Sequence, residues 1–261
     1  MAKYSRFITL GDSLSEGMCD DVIAGQYRGW ADRVADVLAK DNPGFTYCNL
    51  AIRGKLLPQV VADQLPIALK YIQGPSTLLS FHAGANDVLR PKYNAAKTLA
   101  EYRDAVAKLS ETGATLLLFT AIEQVDGKGK VADMWAQRFG EFNENVRTVA
   151  KEYGAILAEA KRAPFLGDKR LLHTDRLHLN SEGHHRFAQG VLEVLQLPHD
   201  KNWATPLPPP PQKAILKEKY ETAKWLYSFL LPWIWRRLRG KSSGDGRLAK
   251  HFAPVPWPTR L

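Results

Sequence analysis

The sequence contains very little cysteine, because only Cys19 and Cys48 occur among its 261 residues. Its first residues, MAKYSRFITLGDS, contain no apolar stretch followed by a small-residue cleavage site, so no secretory signal is expected. Without export to an oxidising compartment a disulfide framework is not expected, and a cytoplasmic location is predicted. A bridge between Cys19 and Cys48 is the less favoured alternative.

Long hydrophobic runs are also absent. No apolar run reaches the roughly 18 residues that a membrane-spanning helix needs. Hydrophobic residues make up 45% of the chain and charged residues 24%, which is typical of a globular protein. The sequence shows no internal repeat. These observations favour a globular chain over a membrane-spanning or repeat protein.

Acidic residues are scarce only in the last part of the chain. From His199 onward there are 12 Lys and Arg residues but 4 Asp and Glu, whereas the preceding part carries 24 against 23. The net charge of +9 therefore belongs mostly to this tail. A basic tail is typical of contact with a membrane surface or nucleic acid. It is equally typical of a solvated extension, or of a segment that covers an acidic patch of its own body.

The first 198 residues alternate between β-rich runs and helical periodicity, which predicts βαβ units and a mostly parallel sheet covered on both faces. Runs such as TLLSF and TLLLFTA suit strands buried on both sides. The predicted strands are Arg6–Leu10, Phe45–Ala51, Thr77–Phe81, Thr115–Thr120 and Ala155–Ala158. The predicted helices lie near Gly29–Lys40, Pro58–Ile72, Ala95–Thr112, Val131–Tyr153 and Ser181–Leu195.

The tail begins with the proline-rich stretch WATPLPPPPQ, which favours an extended linker and a boundary near residue 198. We therefore predict a domain at 1–198 and an extension at 199–261. Within the extension, Lys213 to Leu231 reads as a helix that ends at Pro232. After Gly240 the chain is expected to be irregular.

Small polar residues stand where the predicted strands end. Gly11, Asp12 and Ser13 follow the first strand, Gly54 follows the second, and the stretch GAND at 84–87 follows the third. Asp175 and His178, spaced by three residues, precede the last helix. Each stretch alone is typical of a turn or a cap. Together, at the edge where parallel sheets hold their ligands, they predict one site.

These four blocks resemble those of the SGNH hydrolase superfamily, also called GDSL lipases and esterases, over about residues 5–197. The resemblance implies a flavodoxin-like three-layer α/β/α sandwich with a five-stranded parallel sheet in the order 2-1-3-4-5. It implies that Ser13 is the nucleophile, His178 its base and Asp175 the acid that orients the base. The implied oxyanion hole comprises Ser13, Gly54 and Asn86, with no metal or organic cofactor.

Other residues compete for roles at this site. His82, His173, His184 and His185 are alternative bases, but His178 is favoured because triad chemistry needs an acid oriented beside the base, and Asp175 stands three residues before it. Arg53 and Lys55 flank Gly54, and together with Asp12 they are candidate substrate contacts. The two cations would attract an acyl ester that bears a phosphate or carboxylate. The favoured interpretation is that they are solvated loop charges.

The predicted function is a serine hydrolase that cleaves carboxylic esters through an acyl-enzyme. Short-chain esters, lysophospholipids, acyl thioesters and sugar acetates all remain candidate substrates. An acyltransferase with the same nucleophile is the alternative among enzymes. Aromatic and basic residues at 213–240 give a second class, a protein that contacts a membrane surface. The alternative, equally favoured, is that the aromatic side of this helix packs on the catalytic body or on a second subunit. Nucleic-acid binding is not expected, and the sequence makes no prediction of oligomeric state.

Overall fold

The computed structural model describes residues 4–122, 129–210 and 215–257. Eight strands occur in these ranges: β1 Arg6–Gly11, β2 Val22–Ile23, β3 Gln26–Tyr27, β4 Thr46–Asn49, β5 Thr77–His82, β6 Thr115–Phe119, β7 Ile156–Ala158 and β8 Val255–Pro256. The main sheet has the order β7-β6-β5-β1-β4-β8, and β2 and β3 form a separate hairpin.

Ten α-helices accompany these strands in the described ranges. They are α1 Ser13–Glu16, α2 Gly29–Ala39, α3 Leu57–Asp63, α4 Leu65–Leu69, α5 Ala85–Val88, α6 Ala95–Ser110, α7 Lys130–Glu152, α8 Ser181–Val194, α9 Ile215–Trp225 and α10 Leu231–Leu238. A π-helix, Leu226–Leu230, joins α9 to α10. Short 3₁₀ turns occur at Gly74–Ser76, Ala160–Arg162, Pro164–Gly167 and Lys169–Leu171.

The predicted α/β class is confirmed, and the five predicted parallel strands lie side by side, with Ile8 of β1 opposite both Cys48 and Leu79. The strand count is larger than expected, because β8 pairs antiparallel with β4 at the sheet edge. The segment after Gly240 is therefore not irregular throughout. No periodicity signals a strand as short as β8, so its placement depends on contacts that are distant in sequence.

The alternation of side chains along β1 produces the three layers. Ile8 and Leu10 point into the core beneath α3, α6 and α7, whereas Phe7 points into the core beneath α2 and α8. Because all six residues of β5 are buried, apolar groups cover both faces of the sheet centre. Both layers hold the carboxyl ends of β1 and β5 in place, and the candidate site lies at that edge.

Pro232 does not end the tail helix, contrary to the sequence prediction. The Leu231 N–H donates to Leu226 O, five residues back, so the hydrogen-bond ladder is shifted just before the proline. Pro232 then lies in the first turn of α10, where a missing N–H is tolerated. The predicted helix start, Lys213, lies outside the described residues.

The end of the tail is held against the body by a buried charge. Lys250 Nζ lies 2.9 and 3.0 Å from the two carboxylate oxygens of Asp32 and donates to Arg28 O at 2.9 Å. Tyr47 also donates to Asp32, at 2.9 Å. Nearby, the Trp257 indole donates to Asp36 at 3.0 Å. The predicted boundary at residue 198 stays a prediction, but the tail is in contact with the sheet.

The helical part of the tail has two unlike faces. Trp225, Phe229 and Trp233 are half-buried on the side that meets the body. Trp235, which a fully packed tail would also bury, is 56% exposed. The outer face also exposes Leu216, Tyr220, Tyr227 and Leu238. Contact of residues 213–240 with a membrane stays a prediction. Within the described ranges, no helix is long and apolar enough to cross a bilayer.

We expect Lys250→Met to destabilise the fold by about 3–5 kcal/mol, because it leaves the Asp32 carboxylate buried without its cation. Chemical denaturation of the wild type and the variant measures this difference. The double variant Asp32→Asn with Lys250→Met should recover most of the loss, since both charges are then removed. A Lys250→Met variant as stable as the wild type would contradict the assigned role.

Candidate active site

The turn after β1 is shaped by the backbone of Gly11. Its φ is +147°, and a Cβ there would lie 2.3 Å from His82 O on the neighbouring strand, so only glycine fits. The Gln64 amide bonds both sides of the same residue, accepting from Gly11 N at 2.8 Å and donating to Gly11 O at 2.9 Å. This clamp fixes the direction in which the chain leaves the sheet.

Ser13 is the first residue of α1, and Asp12 caps the helix by accepting a hydrogen bond from Leu14 N at 3.3 Å. The Ser13 Oγ lies 3.0 Å from Nε2 of His178. The other ring nitrogen, Nδ1, lies 2.7 Å from Oδ2 of Asp175. The structure therefore brings the three predicted catalytic side chains into one hydrogen-bonded row.

The Asp175 carboxylate is held in its ionised form. Burial alone would raise its pKa, but hydrogen bonding and charge from His178 and the backbone N–H groups of Leu177 and His178 lower the pKa to about 2. A carboxylate that stays ionised at neutral pH fixes the imidazole with Nδ1 protonated and Nε2 facing Ser13. The geometry thus fits a base at Nε2.

Two of the predicted oxyanion donors are backbone N–H groups that have no acceptor of their own in the described part of the chain. Within the described residues, neither Ser13 N nor Gly54 N donates a hydrogen bond. The Asn86 side chain differs, because its Nδ2 donates to Asp12 Oδ2 at 3.0 Å and to Lys55 O at 3.1 Å. To reach an oxyanion, the Asn86 amide must exchange one of these acceptors. The predicted oxyanion donors are thus close to one another, with Asn86 already engaged.

Arg53 and Lys55, the two cations beside Gly54, were expected to be solvated loop charges, but both form ion pairs. Arg53 is 7% exposed, so it is not a solvated loop charge. Its guanidinium pairs with Glu16, with Nε 2.9 Å from Oε1, and lies over the Tyr27 ring. Burial lowers the pKa of Arg53, but hydrogen bonding to Glu16 outweighs it and raises that pKa. Lys55 pairs with Asp63 at 2.6 Å. A role of Asp12, Arg53 or Lys55 in substrate contact stays a prediction.

The histidines that competed for the role of base form no hydrogen bond with Ser13 in the part of the chain that the structure describes. His82 Nδ1 is 3.5 Å from Asp12 Oδ1, and His184 Nε2 is 3.0 Å from Met18 O. Burial lowers the pKa of His184 to about 4. His173 is exposed, 3.9 Å from Asp175. Among the histidines of the described ranges, only His178 lies within hydrogen-bond distance of Ser13.

One side-chain group has the ligand types of a metal site. Cys19, His173 and Asp175 each offer a ligand atom, and these atoms lie within 4.8 Å of one another. A metal needs the thiolate, but burial and the Asp175 charge raise the pKa of Cys19 to about 12. The Asp175 oxygen is also engaged by His178. This chemistry does not favour a metal here.

Ser13 and His178 open onto a cavity of about 470 Å³ with a mainly apolar lining. One wall comes from the tail, including Phe229, Trp233, Arg236 and Lys241. The Trp225 indole donates to the Asp175 backbone oxygen at 2.7 Å. The sequence allowed the tail aromatics to pack on the body but did not predict these particular contacts, since they join segments about 50 residues apart or more that no shared motif marks. Only the density of aromatic residues in the tail pointed to them.

The comparisons place the chain in a family. A family model described as "GDSL-like Lipase/Acylhydrolase family" matches residues 9–186. The chain therefore belongs to the GDSL-like lipase/acylhydrolase family, and the predicted class, a carboxylic ester hydrolase, is confirmed. The model ends before the tail. A comparison with curated proteins found no match.

Several solved structures share the fold at low identity. The acetylxylan esterase Axe2 from Geobacillus stearothermophilus is 17% identical, with a TM-score of 0.62 over 77% of this chain and 100% of that chain. A putative GDSL-like lipase from Parabacteroides merdae is 19% identical, with a TM-score of 0.62 over 76% and 99%. The esterase EstA from Pseudoalteromonas sp. is 17% identical, with a TM-score of 0.57 over 74% and 97%.

We expect Asn86→Ala to lower kcat by roughly 100- to 1,000-fold, because the amide is predicted to bind charge that appears mainly in the transition state. KM should change much less. Steady-state kinetics with an activated ester measures both quantities, and thermal melting checks that the variant is folded. A change in KM alone would make Asn86 a positioning or structural residue instead.

Proposed function

We propose that this chain hydrolyses carboxylic esters through a covalent acyl-enzyme on Ser13. The observation that carries the proposal is the row of two hydrogen bonds, 3.0 Å from Ser13 Oγ to His178 Nε2 and 2.7 Å from His178 Nδ1 to Asp175 Oδ2. A serine hydroxyl is a weak nucleophile until a base accepts its proton. His178 is positioned to be that base.

In the first half of the reaction, the Ser13 Oγ–H proton passes to His178 Nε2 while Oγ attacks the ester carbonyl carbon. The carbonyl oxygen becomes negative and accepts hydrogen bonds from Ser13 N and Gly54 N, with Asn86 as the third donor. Asp175 stabilises the imidazolium. As the intermediate collapses, the bond to the alcohol oxygen breaks, and that oxygen takes the proton from Nε2.

In the second half, water replaces the alcohol. His178 accepts a proton from the water, whose oxygen attacks the acyl carbon of the Ser13 ester. The second tetrahedral intermediate uses the same N–H donors. When it collapses, Ser13 Oγ takes back the proton from Nε2 and the carboxylic acid leaves. No redox step or external co-reactant other than water is needed.

The cavity favours an acyl chain longer than acetyl. Apolar side chains from the body, among them Leu89, Trp135 and Phe139, face Phe229 and Trp233 of the tail around the same space. An acyl chain that enters this space is removed from water, which favours binding by about 0.8 kcal/mol for each methylene that is fully buried. We therefore propose medium-chain acyl esters as preferred substrates.

We expect Ser13→Ala to abolish ester hydrolysis, because Ser13 Oγ is the only hydroxyl of the described residues that lies within hydrogen-bond distance of His178 Nε2. Initial rates on a p-nitrophenyl ester measure the loss. Ser76→Ala is the matched control, since Ser76 precedes β5 at the end of the strands opposite the site. This variant should hydrolyse the ester at the wild-type rate. A Ser13→Ala variant with full activity would overturn the proposed mechanism.

A series of p-nitrophenyl esters of increasing acyl length tests the substrate preference. We expect kcat/KM to rise from acetyl to medium chains, by up to roughly fourfold for each methylene that the cavity buries. A steady fall of kcat/KM from acetyl onward would contradict the proposed use of the cavity and favour a small acyl group.

A further inference from the structure

The tail forms a fixed wall of the catalytic cavity and contacts both sides of the site. On the base side, Trp225 donates to Asp175 O at 2.7 Å, and the Arg176 guanidinium lies 5.1 Å from the Trp225 ring centre. On the oxyanion side, a Cβ on Gly54 would lie 2.0 Å from Ser242 Oγ. Residues between these contacts are therefore held beside the reacting atoms.

This wall brings two cations to the cavity. Arg236 and Lys241 both line it, and Lys241 N donates to Arg236 O at 2.9 Å, which holds the two residues together at the end of α10. In the described part of the chain, neither side chain forms a salt bridge. Asp12 is the only carboxylate among the described residues that line the cavity.

The other two cations of the lining are already engaged. Arg53 pairs with Glu16, and Arg176 stacks on Trp225. Lys55, the remaining cation of the Gly54 loop, pairs with Asp63. Three cations of the lining therefore lack a carboxylate partner among the described residues, and two of them, Arg236 and Lys241, come from the tail.

We propose that Arg236 and Lys241 form a subsite for a phosphate group carried by the alcohol or thiol part of a single-chain acyl ester. The acyl chain lies against Phe229 and Trp233. This inference rests on the proposed function. A guanidinium offers a planar pair of donors that matches phosphate oxygens, and the ammonium adds a second charge. Two cations suit a phosphate, which carries more charge than a carboxylate.

The exposed cations and the apolar outer face of the tail also suit an anionic membrane surface. The position of Arg236 and Lys241 favours the subsite, because both line the cavity that contains Ser13 and His178. A membrane surface would instead engage the outward residues, such as Arg239 over the Trp235 ring. Contact with a surface is thus the rival that the experiment must separate.

The test compares kcat/KM for matched substrates that differ only in the phosphate, all kept below their micelle concentrations. One arm uses monodecanoyl glycerol phosphate and monodecanoyl glycerol. The other uses the decanoyl thioesters of phosphopantetheine and pantetheine, which separates a lipid source of the phosphate from a carrier source. The ratio of phosphorylated to neutral substrate is the readout, because general damage to the triad cancels in it.

We expect the double variant Arg236→Gln with Lys241→Gln to lower this ratio by about tenfold in at least one arm, since two charge-assisted contacts are lost. The control is Lys219→Gln with Lys224→Gln, which removes the same charge from exposed positions of α9 that do not line the cavity. Its ratio should stay within about twofold of the wild type. In the wild type, added salt should lower the ratio.

Three outcomes would overturn the inference. The ratio of phosphorylated to neutral substrate could be unchanged in both substrate pairs for the Arg236→Gln, Lys241→Gln variant (the cavity variant). The ratio could also fall equally in the Lys219→Gln, Lys224→Gln control. The discrimination could also appear only with anionic vesicles, which would assign the cations to a membrane surface. Titration calorimetry with decyl phosphate measures the affinity of these variants for the phosphate without requiring catalysis. Binding that weakens only in the cavity variant would support the subsite even if Ser13→Ala disproved the proposed mechanism.

Discussion

The site depends on the His178 imidazole, which joins two parts of the chain 165 residues apart. Its Nε2 meets the serine at the end of the first strand, and its Nδ1 meets the acid of its own loop. Two backbone N–H groups fix the Asp175 carboxylate, so the ring orientation follows from the loop. The sheet positions the serine, because the hydrogen bonds between Gln64 and Gly11 fix the direction in which the chain leaves β1 toward Ser13.

The tail belongs to the same site although the family model ends at residue 186. Its end adds a strand to the sheet and places Lys250 on Asp32, while its helical part supplies a cavity wall and a hydrogen bond to Asp175. The proposed catalytic residues thus lie in the family domain, and the extension contributes part of the cavity lining. We infer that substrate choice in this chain depends on residues that the family motifs do not include.

The sequence could predict what local patterns encode. Continuous apolar runs marked the parallel strands. The blocks at the strand ends and before the last helix pointed to one edge of the sheet, and the family resemblance implied the triad of Ser13, Asp175 and His178. It could not predict the partner of Arg53, since Glu16 is 37 residues away and no spacing rule joins them. The Lys250–Asp32 pair, β8 and the shifted helix at Pro232 likewise depend on long-range packing. Propensity alone would end that helix at the proline.

The most direct test of the account is to locate the adduct that an active-site phosphonate forms with the full chain. After labelling, peptide mass spectrometry identifies which hydroxyl carries phosphorus. The account predicts one adduct on Ser13, because that is the hydroxyl that His178 can deprotonate beside the oxyanion donors. Labelling of a different serine, or labelling that persists in Ser13→Ala, would contradict it.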